Sequence, residues 1–213
     1  ALTRCYRVPL IFDEVQMGFG LAGTFYWHTR FALRDKDGRP DGPDCITLAK
    51  KAQLGVCLSC WEDPRPAPAH VAQARRGLFH AQAILELSPA EVEAQVRERL
   101  WTLAVDYPFL VLNPRNLGWA FAFDLPNAHI AAQVVNQRFY RGFMAYPAGE
   151  RTLRVRMNAA WTRREIDALF EGLRAALDAV AEAARDAPPE RQLEAMASYT
   201  APPWEEAPRS VGE

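Results

Sequence analysis

The chain has 213 residues, of which 49% are hydrophobic and 24% are charged, and its formal net charge is −1. This length is enough for one large domain or two smaller ones, and the composition is that of a globular protein. Because Lys and Arg are spread along a nearly neutral chain, the sequence argues against a nucleic-acid-binding protein, which needs a basic patch. No apolar run approaches the roughly 18 residues of a membrane span. The four cysteines argue against a disulfide scaffold and favour a cytoplasmic protein with free thiols.

Short apolar runs in the first part of the chain predict strands, and turn-forming residues predict a long loop between them. The predicted strands are residues 8–12, 45–49 and 54–60. Residues 17–44 are rich in glycine, proline and aspartate and predict the loop. Residues 72–87 predict a helix. The first run predicts a strand buried from both sides, which needs two neighbours, and the chain therefore resembles the later part of a longer protein.

Two capping boxes mark helix starts in the second part of the chain. Ser88 with Glu91 has proline at the first helical position, and Thr162 with Glu165 precedes apolar residues that recur every three or four positions. Residues 128–140 predict another helix. The strands predicted here are residues 109–112, 119–125 and 152–157, with residues 113–118 as the connection between the first two.

The order of these elements predicts an α/β unit followed by a smaller α+β unit. The predicted domains are residues 1–87 and 88–185. Residues 186–213 contain five prolines and little periodicity, and they predict an irregular tail or linker.

Two motifs and an arginine carry the functional signal. Residues 13–23 read D-E-V-Q-x-G-x-G-x-x-G, directly after the first predicted strand, and a carboxylate at the end of a buried strand needs a cationic partner. Residues 43–50 read P-D-x-x-x-x-A-K, and Leu153-Arg154 precedes the helix predicted near Thr162. In this order the three blocks resemble the class III pyridoxal-phosphate-dependent aminotransferases, and most closely the L-lysine 6-aminotransferase branch.

The resemblance implies the fold, the activity and the cofactor. It implies the C-terminal part of the large domain of a fold type I transferase, which is α/β, followed by the small C-terminal domain. The intact enzyme would use pyridoxal 5'-phosphate to move an amino group from an amine or ω-amino acid to a 2-oxo acid, and it would be a homodimer. Because the family places other parts of the cofactor site upstream, we expect this chain alone to be inactive.

The family motif also implies a role for individual residues. Asp13 would hold the proton on the cofactor's ring nitrogen, which makes the ring a better electron sink. Val15 would pack against the ring, and Gln16 would donate a hydrogen bond to its phenolic oxygen. Lys50 would form the Schiff base and then transfer a proton as general base and acid. Arg154 would bind a substrate carboxylate through two parallel contacts.

Structural explanations remain open beside these roles. Asp13 could be a turn carboxylate, Lys50 a surface lysine and Arg154 an ordinary strand arginine. Lys51 competes with Lys50 on position, although the family pattern favours the lysine directly after the alanine. Arg156 should share a strand face with Arg154 and could assist it.

Other sequence features give weaker signals. Cys57-x-x-Cys60 is a single pair without nearby histidines, and so we expect no zinc site. The four histidines share no ligand spacing. Residues 61–85 contain no Ser or Thr, although the family uses one there to bind the partner subunit's cofactor phosphate.

Two alternative functions remain open: a non-catalytic structural or interaction module, and an aminomutase or decarboxylase with the same cofactor.

Overall fold

The computed structural model describes residues 2–61, 71–87 and 89–185, which form two compact units. The first unit comprises Ala1–Gln95 with two short later segments, Leu117–Ala120 and Met157–Ala160. The second comprises Val96–Asn116, Phe121–Arg156 and, among the described residues that follow, residues 161–185.

Part of the sequence-based prediction lies outside the described residues. This applies to the predicted tail at 186–213, to residues 62–70 of the segment without Ser or Thr and to Ser88 of the first capping box. The predicted domain boundary near Ser88 stays a prediction. None of the helices that the structure describes is long and apolar enough to cross a membrane.

A three-stranded sheet organises the first unit. Its strands, in spatial order, are β1 (Ile11–Asp13), β2 (Cys45–Leu48) and β3 (Val56–Ser59). β1 runs parallel to β2, and β3 runs antiparallel to it. The strands predicted at 45–49 and 54–60 are therefore confirmed with slightly shorter bounds. The helices of this unit are α1 (Leu2–Tyr6), a 3₁₀ turn (Trp27–Phe31), a second 3₁₀ turn (Lys50–Ala52) and α2 (Val71–Leu85).

The strand predicted at residues 8–12 is present but begins later, at Ile11, and its burial between two neighbours stays a prediction for a longer protein. The strand starts at Ile11, whose side chain is 58% exposed, and Val8 before it is 54% exposed. Within the described sheet β1 pairs with β2 alone, and a second neighbour would have to come from outside the described residues.

Close packing of α2 against the 3₁₀ turn Lys50–Ala52 fixes this turn, which follows β2. A Cβ atom on Gly77 of α2 would lie 2.2 Å from the carbonyl oxygen of Ala52, so only glycine permits this approach. A buried cluster fills the space between helix and sheet and consists of Phe19, Leu48, Ala52 and Ala81. The 3₁₀ turn after β2 is thereby held between α2 and the sheet.

A four-stranded sheet lies in the second part of the chain. In spatial order its strands are β4 (Leu112–Leu117), β5 (Ala120–Asp124), β7 (Thr152–Arg156) and β6 (Tyr146–Ala148). The helices that follow α2 are α3 (Pro89–Asp106), α4 (Ala128–Gln137) and α5 (Arg163–Arg185). Two predicted helices are confirmed: the one at 128–140, which is α4, and the one after Thr162, which is α5. Two predicted strands are also confirmed, at 119–125 (β5) and at 152–157 (β7). β5, β7 and α4 are slightly shorter than predicted.

The strand predicted at residues 109–112 is wrong. The chain turns after α3, where the amides of Leu110 and Val111 donate to the carbonyl of Tyr107, and β4 begins at Leu112. The predicted connection at 113–118 is largely this strand. Pro114 suggested a turn, but β4 is an edge strand, where a residue without an N–H is tolerated.

α5 begins directly after Thr162, as predicted, and the carboxylate half of the capping box is present. The Glu165 carboxylate accepts a 2.7 Å hydrogen bond from the backbone N–H of Thr162 and another from the Thr162 hydroxyl. The apolar face of α5 is buried, and Phe170 stacks on Phe121 of β5 with ring centroids 5.0 Å apart. The buried side chains on this face are Ile166, Leu169, Phe170, Leu173, Leu177 and Val180.

Candidate active site

The parallel pairing of β1 and β2 brings the two sequence motifs to one edge of the sheet. Asp13, the last residue of β1, is in register with Thr47. Lys50 follows Thr47 by three residues, a length of chain that spans at most about 11 Å. Because parallel strands share their carboxyl ends, Asp13 and Lys50 lie at the same end of this strand pair.

The Asp13 carboxylate is held through one of its two oxygens. Oδ1 accepts hydrogen bonds from the Thr47 hydroxyl at 3.0 Å and from the backbone N–H of Val15 at 3.1 Å. No donor in the described part of the chain is assigned to Oδ2, and the side chain is exposed. The protein therefore fixes the orientation of the carboxylate and leaves one oxygen for another partner.

Lys50 begins the 3₁₀ turn after β2 in a strained backbone conformation. Its φ is +54°, in the left-handed region that costs a residue with a side chain about 1–3 kcal/mol. The turn is closed by hydrogen bonds from Ala52 to Ala49 and from Gln53 to Lys50. The Lys50 side chain is exposed, and its ammonium has no bonded partner among residues 2–61, 71–87 and 89–185.

Lys51 differs from Lys50 in its surroundings. It is half-buried and takes part in an interaction within the protein. Since a reactive lysine must reach a bound molecule, this contrast supports Lys50 over Lys51 on structural grounds.

Val15 and Gln16 lie in the turn that follows β1, and both are half-buried. The Gln16 amide has no hydrogen-bond partner within the described ranges. The turn is tight: the N–H of Gly18 donates to the Glu14 carbonyl at 2.8 Å, and a Cβ atom on Gly18 would lie 2.5 Å from Leu48. Glycine at this position thus keeps the turn close to the end of β2.

Glu14 has a structural role that the sequence motif did not reveal. Its side chain is buried, with 3% exposed, and accepts hydrogen bonds from the backbone N–H groups of Trp27 and His28 at 2.7 and 2.8 Å. The Nδ1 atom of His28 lies 2.6 Å from the same carboxylate. Glu14 therefore ties the start of the 3₁₀ turn Trp27–Phe31 to the end of β1.

Thr47 is the second residue that sequence reasoning missed. It lies inside a predicted strand, and only its pairing with Asp13 across β1 and β2 shows that its hydroxyl meets the carboxylate. A parallel alignment of the two predicted strands from their carboxyl ends could have found this contact.

The structure places Arg154 in the second unit, on β7. Leu153 and Val155 are buried, and so Arg154 and Arg156 lie on the opposite face of the strand, as predicted. Arg154 is exposed, pairs in register with Tyr146, and its guanidinium carbon lies 5.7 Å from the Tyr146 ring centroid. No acidic side chain of the described residues forms an ion pair with it.

The described part of the chain contains no candidate metal site. Among those residues, no group of three or more His, Cys, Asp or Glu side chains could hold a metal ion.

Comparison with known proteins identifies relatives of the chain. No family model matches it. The chain is 32% identical over 189 residues to an L-lysine-epsilon aminotransferase of Mycobacterium bovis, a match that covers 80% of this chain and 40% of the relative. The chain is a homologue of class III pyridoxal-phosphate-dependent aminotransferases. A 4-aminobutyrate aminotransferase of Dictyostelium discoideum is 27% identical over 168 residues, or 73% of this chain and 32% of that protein.

Solved structures of aminotransferases share the fold of this chain. Lysine aminotransferase from Mycobacterium tuberculosis in the internal aldimine form matches with a TM-score of 0.69 at 27% identity, over 84% of this chain and 43% of that one. The omega-transferase from Vibrio fluvialis JS17 matches with a TM-score of 0.72 at 18% identity, over 87% and 50% of the two chains, and so it shows the fold alone. The predicted α/β fold of a type I aminotransferase is confirmed. The chain spans about 40% of the length of the first curated relatives that it matches.

Proposed function

We propose that this chain supplies part of the active site of a pyridoxal-phosphate-dependent aminotransferase that moves an amino group from an amine or ω-amino acid to a 2-oxo acid. The proposal rests on the edge of the sheet at which β1 and β2 both end. There Asp13, Gln16 and Lys50 each present a polar group that the described part of the chain does not engage.

These three groups fit the polar atoms of pyridoxal phosphate. The free oxygen of Asp13 matches a protonated ring nitrogen, the amide of Gln16 can donate to the phenolic oxygen, and the amine of Lys50 can bind the aldehyde carbon. Val15, half-buried between Asp13 and Gln16, offers an apolar surface for the ring. When bound, the cofactor supplies an electron sink for the negative charge that forms on the substrate carbon.

Asp13 performs its role through its fixed orientation. Its negative charge would keep a proton on the ring nitrogen of the bound cofactor, because an ion pair favours the charged form of both partners. The hydrogen bonds from Thr47 and from the N–H of Val15 occupy Oδ1 and hold Oδ2 in place. Asp13 thereby needs little rearrangement when the cofactor binds.

Lys50 has two tasks in this proposal. Its amine would hold the cofactor by bonding to the aldehyde carbon, and as a free amine it would serve as the general base and acid that moves a proton from the substrate's amine-bearing carbon. The 3₁₀ turn, which lies between α2 and the sheet, keeps the base of the side chain fixed while its end remains exposed.

The proposed substrate class rests on the relatives and on Arg154. The first relatives are named for lysine and 4-aminobutyrate, which supports an ω-amino acid as the amino donor. Arg154 is exposed and has no acidic partner in the described structure, which suits an arginine that binds the carboxylate of a donor or of a 2-oxo acid. The full-length enzyme is proposed to be a homodimer, as the family resemblance implies.

Borohydride trapping tests the proposal. Reduction of the native protein, followed by peptide mass spectrometry, should find the cofactor attached to Lys50. Lys50→Ala should abolish the attachment, and the matched variant Lys51→Ala should retain it. Residues 1–213 alone should bind pyridoxal phosphate weakly and without the yellow colour of the lysine-bound form.

The other outcomes separate the remaining functions. Failure of the native protein to trap cofactor would support a non-catalytic module. Trapping on Lys50 without amino transfer from any amine or ω-amino acid to any 2-oxo acid would support an aminomutase or a decarboxylase.

A further inference from the structure

Two thiols face each other across the antiparallel strands β2 and β3. The Sγ atoms of Cys45 and Cys57 are 3.3 Å apart. In the strand register Cys45 lies opposite Ser59 and Thr47 lies opposite Cys57, so the two cysteines are diagonal neighbours on one face of the sheet. The right-handed twist of a β-ribbon brings one of its two diagonal pairs close together, which accounts for the short separation.

The strand arrangement permits the two sulfur atoms to bond. A disulfide requires a sulfur–sulfur distance of about 2.05 Å, so the atoms must approach by roughly 1.2 Å. β3 is an edge strand of the described sheet, and three of its four residues are exposed. Val56 at the start of β3 packs against the buried cluster that includes Leu48, whereas the three residues that follow it are exposed, so the shift falls on the exposed part of the strand.

The two thiols differ in access. Cys57 is exposed to solvent, whereas Cys45 is buried, with 5% of its surface accessible. We propose that Cys45 and Cys57 are a redox modification site, which hydrogen peroxide converts into a disulfide between β2 and β3.

The reaction is balanced in two steps. The Cys57 sulfur attacks the peroxide oxygen, the O–O bond breaks, and Cys57 becomes a sulfenic acid with release of water. The Cys45 sulfur then attacks the Cys57 sulfur, the S–O bond breaks, and a second water leaves as the disulfide forms. The two thiols lose two electrons and two protons, and the peroxide is reduced to water.

The assignment of the two roles follows from the surroundings of Cys45. Its hydrogen bond with Cys57, together with burial, raises the pKa of the Cys45 thiol, which makes it a poor first nucleophile at neutral pH. In the second step the low reactivity of the Cys45 thiol is offset, because the two sulfur atoms are in contact and the reaction is intramolecular.

The disulfide would connect directly to the strand that precedes the candidate lysine. Cys57 is the register partner of Thr47, which in turn bonds to Asp13. Oxidation would therefore fix the pairing of β2 and β3 next to this edge of the sheet. The proposal itself rests on the two thiols and is independent of the cofactor.

Peptide mapping after oxidation tests the proposal on the full chain, in a Cys5→Ser background that removes one exposed thiol. The protein is treated with hydrogen peroxide, its remaining thiols are blocked with N-ethylmaleimide under denaturing conditions, and it is digested with trypsin. Cleavage after Lys50 and Lys51 places Cys45 and Cys57 on different peptides. The expected product is the two peptides joined by a disulfide, with Cys60 alkylated.

Two cysteine variants give matched controls. Cys60→Ser should retain the linked peptides, and Cys57→Ser should lose them. Oxidation should also raise the guanidinium midpoint of unfolding in the parent and in Cys60→Ser, but not in Cys57→Ser, because a disulfide restricts the unfolded chain.

The same maps can overturn the proposal. A disulfide within the peptide that contains Cys57 and Cys60 would contradict it, as would sulfinic acid on Cys57 without any link to Cys45. The parent and Cys60→Ser decide the question even if Cys57→Ser fails to fold.

Discussion

The Thr47 hydroxyl donates a 3.0 Å hydrogen bond to Oδ1 of Asp13, a residue on the neighbouring strand that lies 34 positions earlier in the sequence. This contact connects the two motifs of the candidate site. It occupies one carboxylate oxygen, and the second oxygen remains available to a ligand. The geometry gives a role to a threonine that the family motif does not specify.

Thr47→Val should weaken cofactor binding by about five- to tenfold, which corresponds to the roughly 1 kcal/mol of a typical hydrogen bond. The valine keeps the shape of the side chain but cannot donate to Asp13. Binding is measured by titrating the full-length protein with pyridoxal phosphate and following its visible absorbance. Thr47→Ser should behave as the parent does, and equal weakening in both variants would rule out the hydrogen bond as the cause.

Glu14→Ala should lower the free energy of unfolding by about 2–4 kcal/mol, because it leaves two backbone N–H groups and His28 without their acceptor. Glu14→Gln keeps one acceptor oxygen and should cost less. Guanidinium unfolding followed by circular dichroism measures both. Asp37→Ala, which removes an exposed ion pair with Lys36, is the control and should change stability by less than about 0.5 kcal/mol. A cost for Glu14→Ala no larger than that of the control would contradict the role of Glu14.

Asp124 should make the stability of the chain depend on pH. Burial alone would raise the pKa of this carboxyl, but hydrogen bonds from Thr152, Arg115 and Asn113 outweigh burial and hold the pKa below its usual value. A carboxyl whose pKa is lowered by folding stabilises the protein above its unfolded pKa of about 3.9, and this contribution is lost as the pH falls through the folded pKa.

Asp124→Asn should therefore lower the free energy of unfolding by about 1–3 kcal/mol near neutral pH. The difference between parent and variant should narrow below about pH 4. Guanidinium unfolding over a range of pH values measures this difference in the free energy of unfolding. A difference that stays constant into the acid range would show that the carboxylate charge does not contribute.

Thr162→Ala should lower the free energy of unfolding by about 1 kcal/mol, the usual cost of a lost N-cap. The threonine hydroxyl and its backbone N–H both bond to Glu165, and alanine keeps only the second contact. Thr162→Ser retains the hydroxyl and should be close to the parent. Equal loss in the alanine and serine variants, measured by guanidinium unfolding, would contradict a capping role.

The sequence predicted the features that depend on neighbouring residues. The start of α5 follows from the capping box at Thr162, and its buried face follows from a period of three to four residues, because both patterns act within a turn or two of helix. The motifs around Asp13 and Lys50 predicted the fold and the family through their resemblance to the class III aminotransferases. The individual roles of Asp13, Val15, Gln16, Lys50 and Arg154 stay predictions.

Only the tertiary structure decided which groups meet across long stretches of chain. Composition gave no sign that β4 is an edge strand of the described sheet, and so the role of Pro114 was predicted wrongly. The partners of Glu14 lie 13 and 14 residues away, and the partner of Asp13 lies 34 residues away. Local propensity does not encode such contacts, because they form only when packing fixes the register of one strand against another.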